Sequence, residues 1–306
     1  SFISGSIEFN GGIFSCYHNS NNFGRVGIVT INGACSINYT NTSDEFTFIG
    51  LAATGFDLNN LSLTLSITGA FTISGVTGTF VSSRSLGSET ISLSSLTISE
   101  GNNSFNSVSG SSTPNGHNVV MTIAGNLTVN GGNTYLSGFS QSFTGILIGN
   151  LLITGGSLAV KGGDCTTTTF NILGGYTMTG GEFYLHKSST DELPASSTIT
   201  VNINSNDDNN GDFVQSAGTI NFDNCLTTPA TLNLIINIKS PNYTISGSGI
   251  VTMTKPGTGL VFGNLNFARN GLINFNRSGN HSIPQAKQTV QTHCTLDVIS
   301  GDFQLT

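Results

Sequence analysis

The sequence predicts an all-β protein that winds as a right-handed parallel β-helix, a solenoid with irregular loops at its corners. Three observations lead to this fold class: a ten-residue pattern that recurs along the chain, 39 glycines that include recurring bend positions, and no stretch with a sustained 3.6-residue apolar stripe. A pattern that recurs along a chain indicates stacked similar units rather than one globular core.

The recurring pattern is clearest at residues 127–136, 151–160 and 176–185. In each copy, large residues alternate with small polar ones, a Gly-Gly pair follows, and the alternation then resumes. Alternation with a period of two is typical of a β-strand, and glycine supplies the positive φ that a sharp bend needs. Each copy therefore predicts a strand, a bend and a second strand.

The distance between copies predicts the length of one turn of the solenoid. Neighbouring bend glycines lie 22 to 37 residues apart, at Gly101, Gly132, Gly156, Gly181, Gly218, Gly249, Gly271 and Gly301. The shortest distance indicates one complete turn, and the excess indicates loops inserted at corners. Turn-rich sequence places these insertions at 38–62, 78–92, 106–118 and 186–212. An array of β-sandwiches is the alternative architecture, because short strands with turn signals also suit sandwiches.

Charge and hydropathy exclude several partners. The chain of 306 residues has a net charge of -7, and its nine Lys and Arg residues are dispersed, so a groove that follows nucleic-acid phosphates is not expected. No run approaches 18 apolar residues, and we expect no membrane insertion by a helix.

Copies of the pattern are cut at both ends of the chain, at residues 2–9 and directly after Leu305. Polar caps normally close a solenoid. Residues 1–306 are therefore expected to form a single solenoid that is a segment of a longer protein.

Two local features suggest sites. Asn206, Asp208 and Asn210 stand at alternate positions before Gly211, with Asp212 following, and resemble the first half of a calcium loop. The closing acidic ligand is missing, and a surface turn rich in Asn and Asp is the alternative. No other cofactor is indicated.

The chain has five cysteines. Cys16 and Cys35 fall on adjacent predicted turns and could form an extracellular disulfide; the alternative is that the cysteines are small buried thiols.

Catalytic motifs are not evident. Adjacent acids such as Asp207 and Asp208 point to opposite faces of a strand, and dispersed cations do not support lyase chemistry. We therefore expect no enzyme. The threonine run 166–169 suggests a flat hydroxyl face for ice, but such a face needs turns in register, and the irregular spacing argues against it.

Residues 126–132, 176–189 and 273–283 resemble turns of the repetitive, β-helical surface proteins exported by the type IX secretion system. The resemblance implies an extracellular location, secreted or attached to the cell surface, and a structural or adhesive role as a stalk or filament segment. The implied partners are neighbouring segments of the same protein or fibre and surface glycans. A carbohydrate-active β-helix enzyme and a glycan-binding module remain the alternatives.

Overall fold

The structure is a computed structural model, and every regular element that it describes is a β-strand. The described residues are 2–10, 14–18, 26–38, 45–51, 61–75, 77–83, 87–108, 117–138, 142–162, 166–187, 196–203, 211–224, 231–238, 242–246, 250–252, 265–267, 272–283, 288–290 and 295–305. Side chains are described only at positions up to residue 220. No helix occurs in these ranges, which confirms the all-β prediction.

The first half of the chain contains β1 (Phe2–Ser4), β2 (Ile7–Phe9), β3 (Phe14–His18), β4 (Val26–Asn32), β5 (Cys35–Asn38), β6 (Glu45–Leu51), β7 (Leu61–Ser74), β8 (Thr77–Ser83), β9 (Gly87–Ile98), β10 (Asn102–Val108), β11 (His117–Ile123), β12 (Leu127–Val129), β13 (Asn133–Ser137), β14 (Ser142–Leu147) and β15 (Leu151–Ile153). The second half contains β16 (Ser157–Lys161), β17 (Thr167–Ile172), β18 (Tyr176–Lys187), β19 (Ser196–Ile203), β20 (Phe213–Asn224), β21 (Thr231–Ile238), β22 (Asn242–Ser246), β23 (Ile250–Thr252), β24 (Leu265–Phe267), β25 (Leu272–Ile283), β26 (Gln288–Val290) and β27 (Thr295–Leu305).

The described strand pairings are parallel and form three ladders. The first ladder is a sheet of 11 strands made by β1, β4, β7, β9, β11, β14, β17, β19, β21, β24 and β26. The second runs through β2, β5, β7, β9, β12, β15, β18, β20, β22, β25 and β27. The third runs through β3, β6, β8, β10, β13, β16, β18, β20 and β23. Long strands such as β18 contribute their first part to the second ladder and their last part to the third.

Alternation along the strands buries one face of each ladder. In β14 the side chains alternate between partly exposed and buried, and β17 follows the same order. The buried positions align from strand to strand, so that Leu147, Ile172 and Ile203 form one aliphatic column in the first ladder. Burial of each such side chain contributes about 1.5–3 kcal/mol, which makes these columns the main source of stability.

The bends predicted at Gly101, Gly132, Gly156, Gly181 and Gly218 are confirmed by positive φ angles, for example 67° at Gly156. These glycines join the second ladder to the third. A Cβ atom added at Gly156 would lie 2.4 Å from the carbonyl carbon of Gly131 in the preceding repeat. Glycine is therefore needed both for the backbone conformation and for the close approach of successive bends.

The prediction of an insertion at 78–92 is wrong, because this range contains most of β8 and the first residues of β9. Similarly, β6 lies inside the predicted insertion 38–62, and β19 lies inside 186–212. Serine and threonine make up about half of β8 and β19, and this turn-like composition concealed strands that pair with neighbouring repeats.

Candidate functional site

Buried polar side chains concentrate on the third ladder. Among the described side chains, ten polar or charged ones are buried, and seven of them belong to this ladder: Thr47, Asn103, Thr134, Ser137, Ser157, Lys161 and His186. The first ladder contributes Glu89 and Thr168, and the second contributes Gln215. Since burying polar groups is costly unless they are hydrogen-bonded, this concentration makes the third ladder the candidate site.

Ser137, Lys161 and His186 form a polar column on three consecutive repeats. Ser137 pairs in register with Lys161, and Lys161 pairs with His186. All three side chains are 0% exposed, and the Lys161 Nζ donates a hydrogen bond to Ser137 Oγ at 3.2 Å. The register continues to Asp223 in β20, a position at which only the backbone is described.

A lysine beside a serine is the pair of groups that some hydrolases use as base and nucleophile. In this chain both side chains are completely buried, so the Ser137 hydroxyl offers no surface to a substrate. The hydrogen bond instead satisfies part of the bonding requirement of the buried Lys161 amino group, which would otherwise be expensive to bury.

The sequence contains a signal for this polar column that the prediction of site residues missed. Ser137, Lys161, His186 and Asp223 each stand five residues after a bend glycine, at Gly132, Gly156, Gly181 and Gly218. Alignment of the repeats on these glycines would have shown a polar residue at the same position in four consecutive copies.

Lys187 joins neighbouring repeats of the third ladder through its side chain. Its Nζ donates to Ser157 Oγ at 2.8 Å and to Asn133 Oδ1 at 3.4 Å, and it lies 4.7 Å from the centroid of the Tyr184 ring. Asn133, Ser157 and Glu182 are in register on three consecutive repeats. The Lys187 side chain therefore connects its own repeat with the two before it. Burial lowers the pKa of Lys187, and the nearby Glu182 carboxylate opposes that shift.

Tyr135 adds a partly exposed aromatic ring to this surface. It pairs in register with Ala159, which in turn pairs with Tyr184. The ring packs so closely on Gly162 that a Cβ atom there would lie 2.5 Å from Tyr135 Cδ1. Burial raises the pKa of the Tyr135 hydroxyl. Tyr135, Glu182 and Lys187 therefore present an aromatic ring, an acid and a base on one side of the ladder.

Asparagine side chains have a structural role between repeats. Asn126 Oδ1 accepts a hydrogen bond from the backbone N–H of Asn150 at 2.9 Å, and Asn150 Oδ1 accepts one from Gly175 at 2.7 Å. The Thr154 hydroxyl donates to Asn130 Oδ1, which joins side chains of two successive repeats. The amides of Asn126 and Asn150 therefore satisfy backbone groups at the corners.

Most of the predicted calcium loop lies outside the described residues. Asn206, Asp208 and Asn210 fall in the range 204–210, for which no structure is described. Asp212 is exposed, and its backbone oxygen accepts a hydrogen bond from the Tyr176 N–H at 2.9 Å. A search restricted to the described residues finds no group of three or more His, Cys, Asp and Glu able to hold a metal ion, and the loop stays a prediction.

Cys35 is a free thiol in the core of the second ladder, and burial raises its pKa to about 12. It pairs in register with Ile7 and Phe71. Cys16 lies in β3, on the third ladder, and its side chain is outside the described ones. The Cys16–Cys35 disulfide therefore stays a prediction.

Comparisons with protein-family models, curated proteins and solved structures find no match to this chain. Among the residues that the structure describes, no helix has the length and apolar character needed to cross a membrane.

Proposed function

We propose that the chain is a right-handed parallel β-helix that serves as a non-enzymatic, structural or adhesive segment of a secreted or surface-attached bacterial protein. The observation that carries this proposal is the return of the chain to the same three parallel ladders, repeat after repeat, with aligned buried positions. A right-handed path is expected because parallel strands joined by crossover connections are almost always right-handed.

A rod is the shape that suits a stalk or filament. Eleven strands in the first ladder, spaced about 4.8 Å apart, correspond to a length on the order of 50 Å. Corner amides, stacked bend glycines and the Lys187 contacts all join one repeat to the next. Such contacts resist separation of the repeats along the rod axis.

The proposal includes export by the type IX secretion system, which rests on the resemblance of the repeats. The proposed partners are neighbouring segments of the same protein or fibre and surface glycans. Antibodies against the chain should label intact producing cells or their medium, and external protease should remove the cell-bound signal. Signal that is confined to the cell interior and protected from protease would contradict this location.

The proposed shape is tested by electron microscopy and small-angle X-ray scattering of the purified chain. We expect elongated particles with an axial length on the order of 50 Å and a narrow, constant cross-section. Particles of globular dimensions would contradict the rod. Incubation with a panel of acidic and neutral polysaccharides tests the enzyme alternative separately, and release of new chain ends would overturn the non-enzymatic assignment.

Glycan binding is a second candidate function, and the partly exposed Tyr135 ring on the same ladder as Glu182 and Lys187 favours it. Tyrosine rings supply a flat apolar face for a sugar ring, and charged side chains supply hydrogen bonds to hydroxyl groups. Tyr135→Ala should abolish retention on a glycan array, while Thr128→Ala on the second ladder should leave it unchanged. Equal binding by both variants would reject this surface.

A further inference from the structure

The outer face of the first ladder carries continuous columns of small polar and β-branched side chains. At its middle position, seven consecutive repeats all place a β-branched residue: Ile28, Thr64, Thr90, Val120, Thr144, Thr169 and Thr200. One flanking column contains Ser62, Ser88, Asn118, Ser142, Thr167 and Thr198, and the other contains Thr30, Ser66, Ser92, Thr122, Ile146, Asn171 and Asn202. Every one of these side chains is exposed or partly exposed.

The columns form a regular two-dimensional array. Between β4 and β19 the pairs that make them follow one another without a register shift. Neighbouring members of a column are separated by about 4.8 Å, and adjacent columns, two residues apart on each strand, by roughly 6.6 Å. Because branching at Cβ restricts χ1, the methyl and hydroxyl groups of the middle column are held in place before any ligand arrives.

The chemistry of the array excludes several ligands. None of these described outer positions holds a charged side chain, so the face offers nothing to a phosphate polymer or an anionic membrane. None holds an aromatic ring, which protein-binding hot spots and platforms for sugar rings commonly use. The ligand that fits this face in charge and in spacing is an uncharged lattice whose units are about as large as a hydroxyl group.

Two apolar residues strengthen this conclusion. Ile28 and Val120 stand in the middle column with 50% and 43% of their surfaces exposed. These residues keep the β-branched shape without the hydroxyl, so the column of methyl groups continues through the repeats that lack a threonine.

We infer that the outer face of the first ladder binds the ordered water lattice of an ice surface. Hexagonal ice has a lattice repeat close to the spacing between strands, so hydroxyls can occupy lattice positions while methyl groups lie between them. The irregular distances between repeats argued against such a face. The structure overturns that argument, because the register within the first ladder is kept although the distances between repeats differ.

The second ladder supplies an internal control. Its outer positions include Thr72, Thr97, Thr128 and Thr177, as expected from the preference of threonine for strands. Several of its strands, such as β12 and β15, contain only three residues and present one outward column. Threonine is therefore present on both ladders, but among the described side chains only those of the first ladder form a two-dimensional array.

The test is thermal hysteresis and inhibition of ice recrystallisation by the full chain, with albumin at equal concentration as the reference. We expect the wild-type chain to shape ice crystals and to suppress recrystallisation. Thr144→Lys should lose most of the thermal hysteresis, because the longer charged side chain holds the lattice away from the array. Thr144→Val should retain most of it, and Thr128→Lys on the second ladder should match the wild type.

Thermal unfolding followed by circular dichroism ensures that each variant is folded, and Thr90→Lys replaces Thr144→Lys should the latter fail to fold. Wild-type behaviour indistinguishable from albumin overturns the inference. Equal losses in Thr144→Lys and Thr128→Lys, or none in either, overturn it as well. The inference needs only the pairing of the first ladder, so it survives even if the chain is not a surface stalk.

Discussion

The first and third ladders are built from the same repeat, yet they use their polar residues differently. The first ladder buries aliphatic columns such as Leu147, Ile172 and Ile203 and places hydroxyl groups outside. The third ladder also buries aliphatic side chains such as Leu136 and Val160 on one face, and it buries the polar column of Ser137, Lys161 and His186 on the opposite face of the same strands. The comparison shows that alternation decides which face of a strand a side chain occupies, while the packing on that face decides whether a polar side chain there is buried.

The largest difference between the ladders is expected at Lys161. Lys161→Ala removes one member of a buried hydrogen-bonded pair and leaves a cavity, and it should lower the free energy of unfolding by about 2–5 kcal/mol. Lys161→Met fills the same space with an apolar side chain and should cost less, about 1–3 kcal/mol for the lost hydrogen bond. Urea denaturation measures both, and Thr144→Ala on the first ladder, expected within about 0.5 kcal/mol of wild type, is the control. A loss in Lys161→Met equal to that in Lys161→Ala would mean that the Lys161 amino group itself, and not the filling of the space, stabilises the column.

The next largest loss of stability is expected at the bends between the second and third ladders. Gly156→Ala combines a strained positive φ with a clash against the preceding bend, and should cost about 2–5 kcal/mol. Gly5 also has a positive φ, but nothing lies within 4 Å of an added Cβ atom. Gly5→Ala should therefore cost only about 1–2 kcal/mol for its backbone conformation. Equal losses of stability in Gly156→Ala and Gly5→Ala, measured by thermal unfolding, would show that the close stacking of bends does not contribute to stability.

A smaller effect, of opposite sign, is expected at Thr134. It lies on the buried face of the third ladder, and its Oγ1 has no hydrogen-bond partner among the described residues. Thr134→Val removes the unsatisfied hydroxyl at nearly constant volume and should stabilise the chain by about 1 kcal/mol. Thr144→Val, which changes an exposed threonine of the first ladder, should leave the unfolding midpoint nearly unchanged. A destabilised Thr134→Val would reveal a partner for this hydroxyl.

The dependence of stability on pH should distinguish Lys187 from exposed lysines. Because burial lowers its pKa in the folded chain, the unfolded chain binds more protons between the folded and unfolded pKa values. The contribution of Lys187 to stability should therefore increase as the pH rises through that interval, and its cost should be fully present below it. The difference in melting temperature between wild type and Lys187→Met, followed from neutral pH to pH near 10, measures this effect. A difference that does not change with pH would contradict it.

The smallest effect on stability, and a clear effect on reactivity, is expected at Cys35. A buried thiol with a pKa of about 12 is almost entirely protonated at neutral pH and should react with iodoacetamide only after unfolding. Peptide mapping by mass spectrometry under non-reducing conditions measures the modification. Recovery of a Cys16–Cys35 linked peptide would instead establish the predicted disulfide and contradict the free thiol.

Some of the fold could be predicted because the deciding interactions are local. The bends at Gly132, Gly156 and Gly181 were predictable since only glycine readily adopts their backbone conformation. The buried lysine was not predicted, because a charged residue at a strand position usually faces water. Its burial depends on Ser137 and His186, which are distant along the chain and adjacent only after the repeats pair.

The sequence by itself determined the all-β class, the alternation of buried and outward positions, and the positions of the sharp bends. Sterics and the two-residue period of a strand act over a few residues and can be read without a partner. Only the tertiary structure decided the register between repeats. The entropic cost of closing a loop grows slowly with its length, so connections of different lengths can join the same ladders. Irregular distances in the sequence are therefore compatible with the continuous columns of the first ladder and the buried polar column of the third.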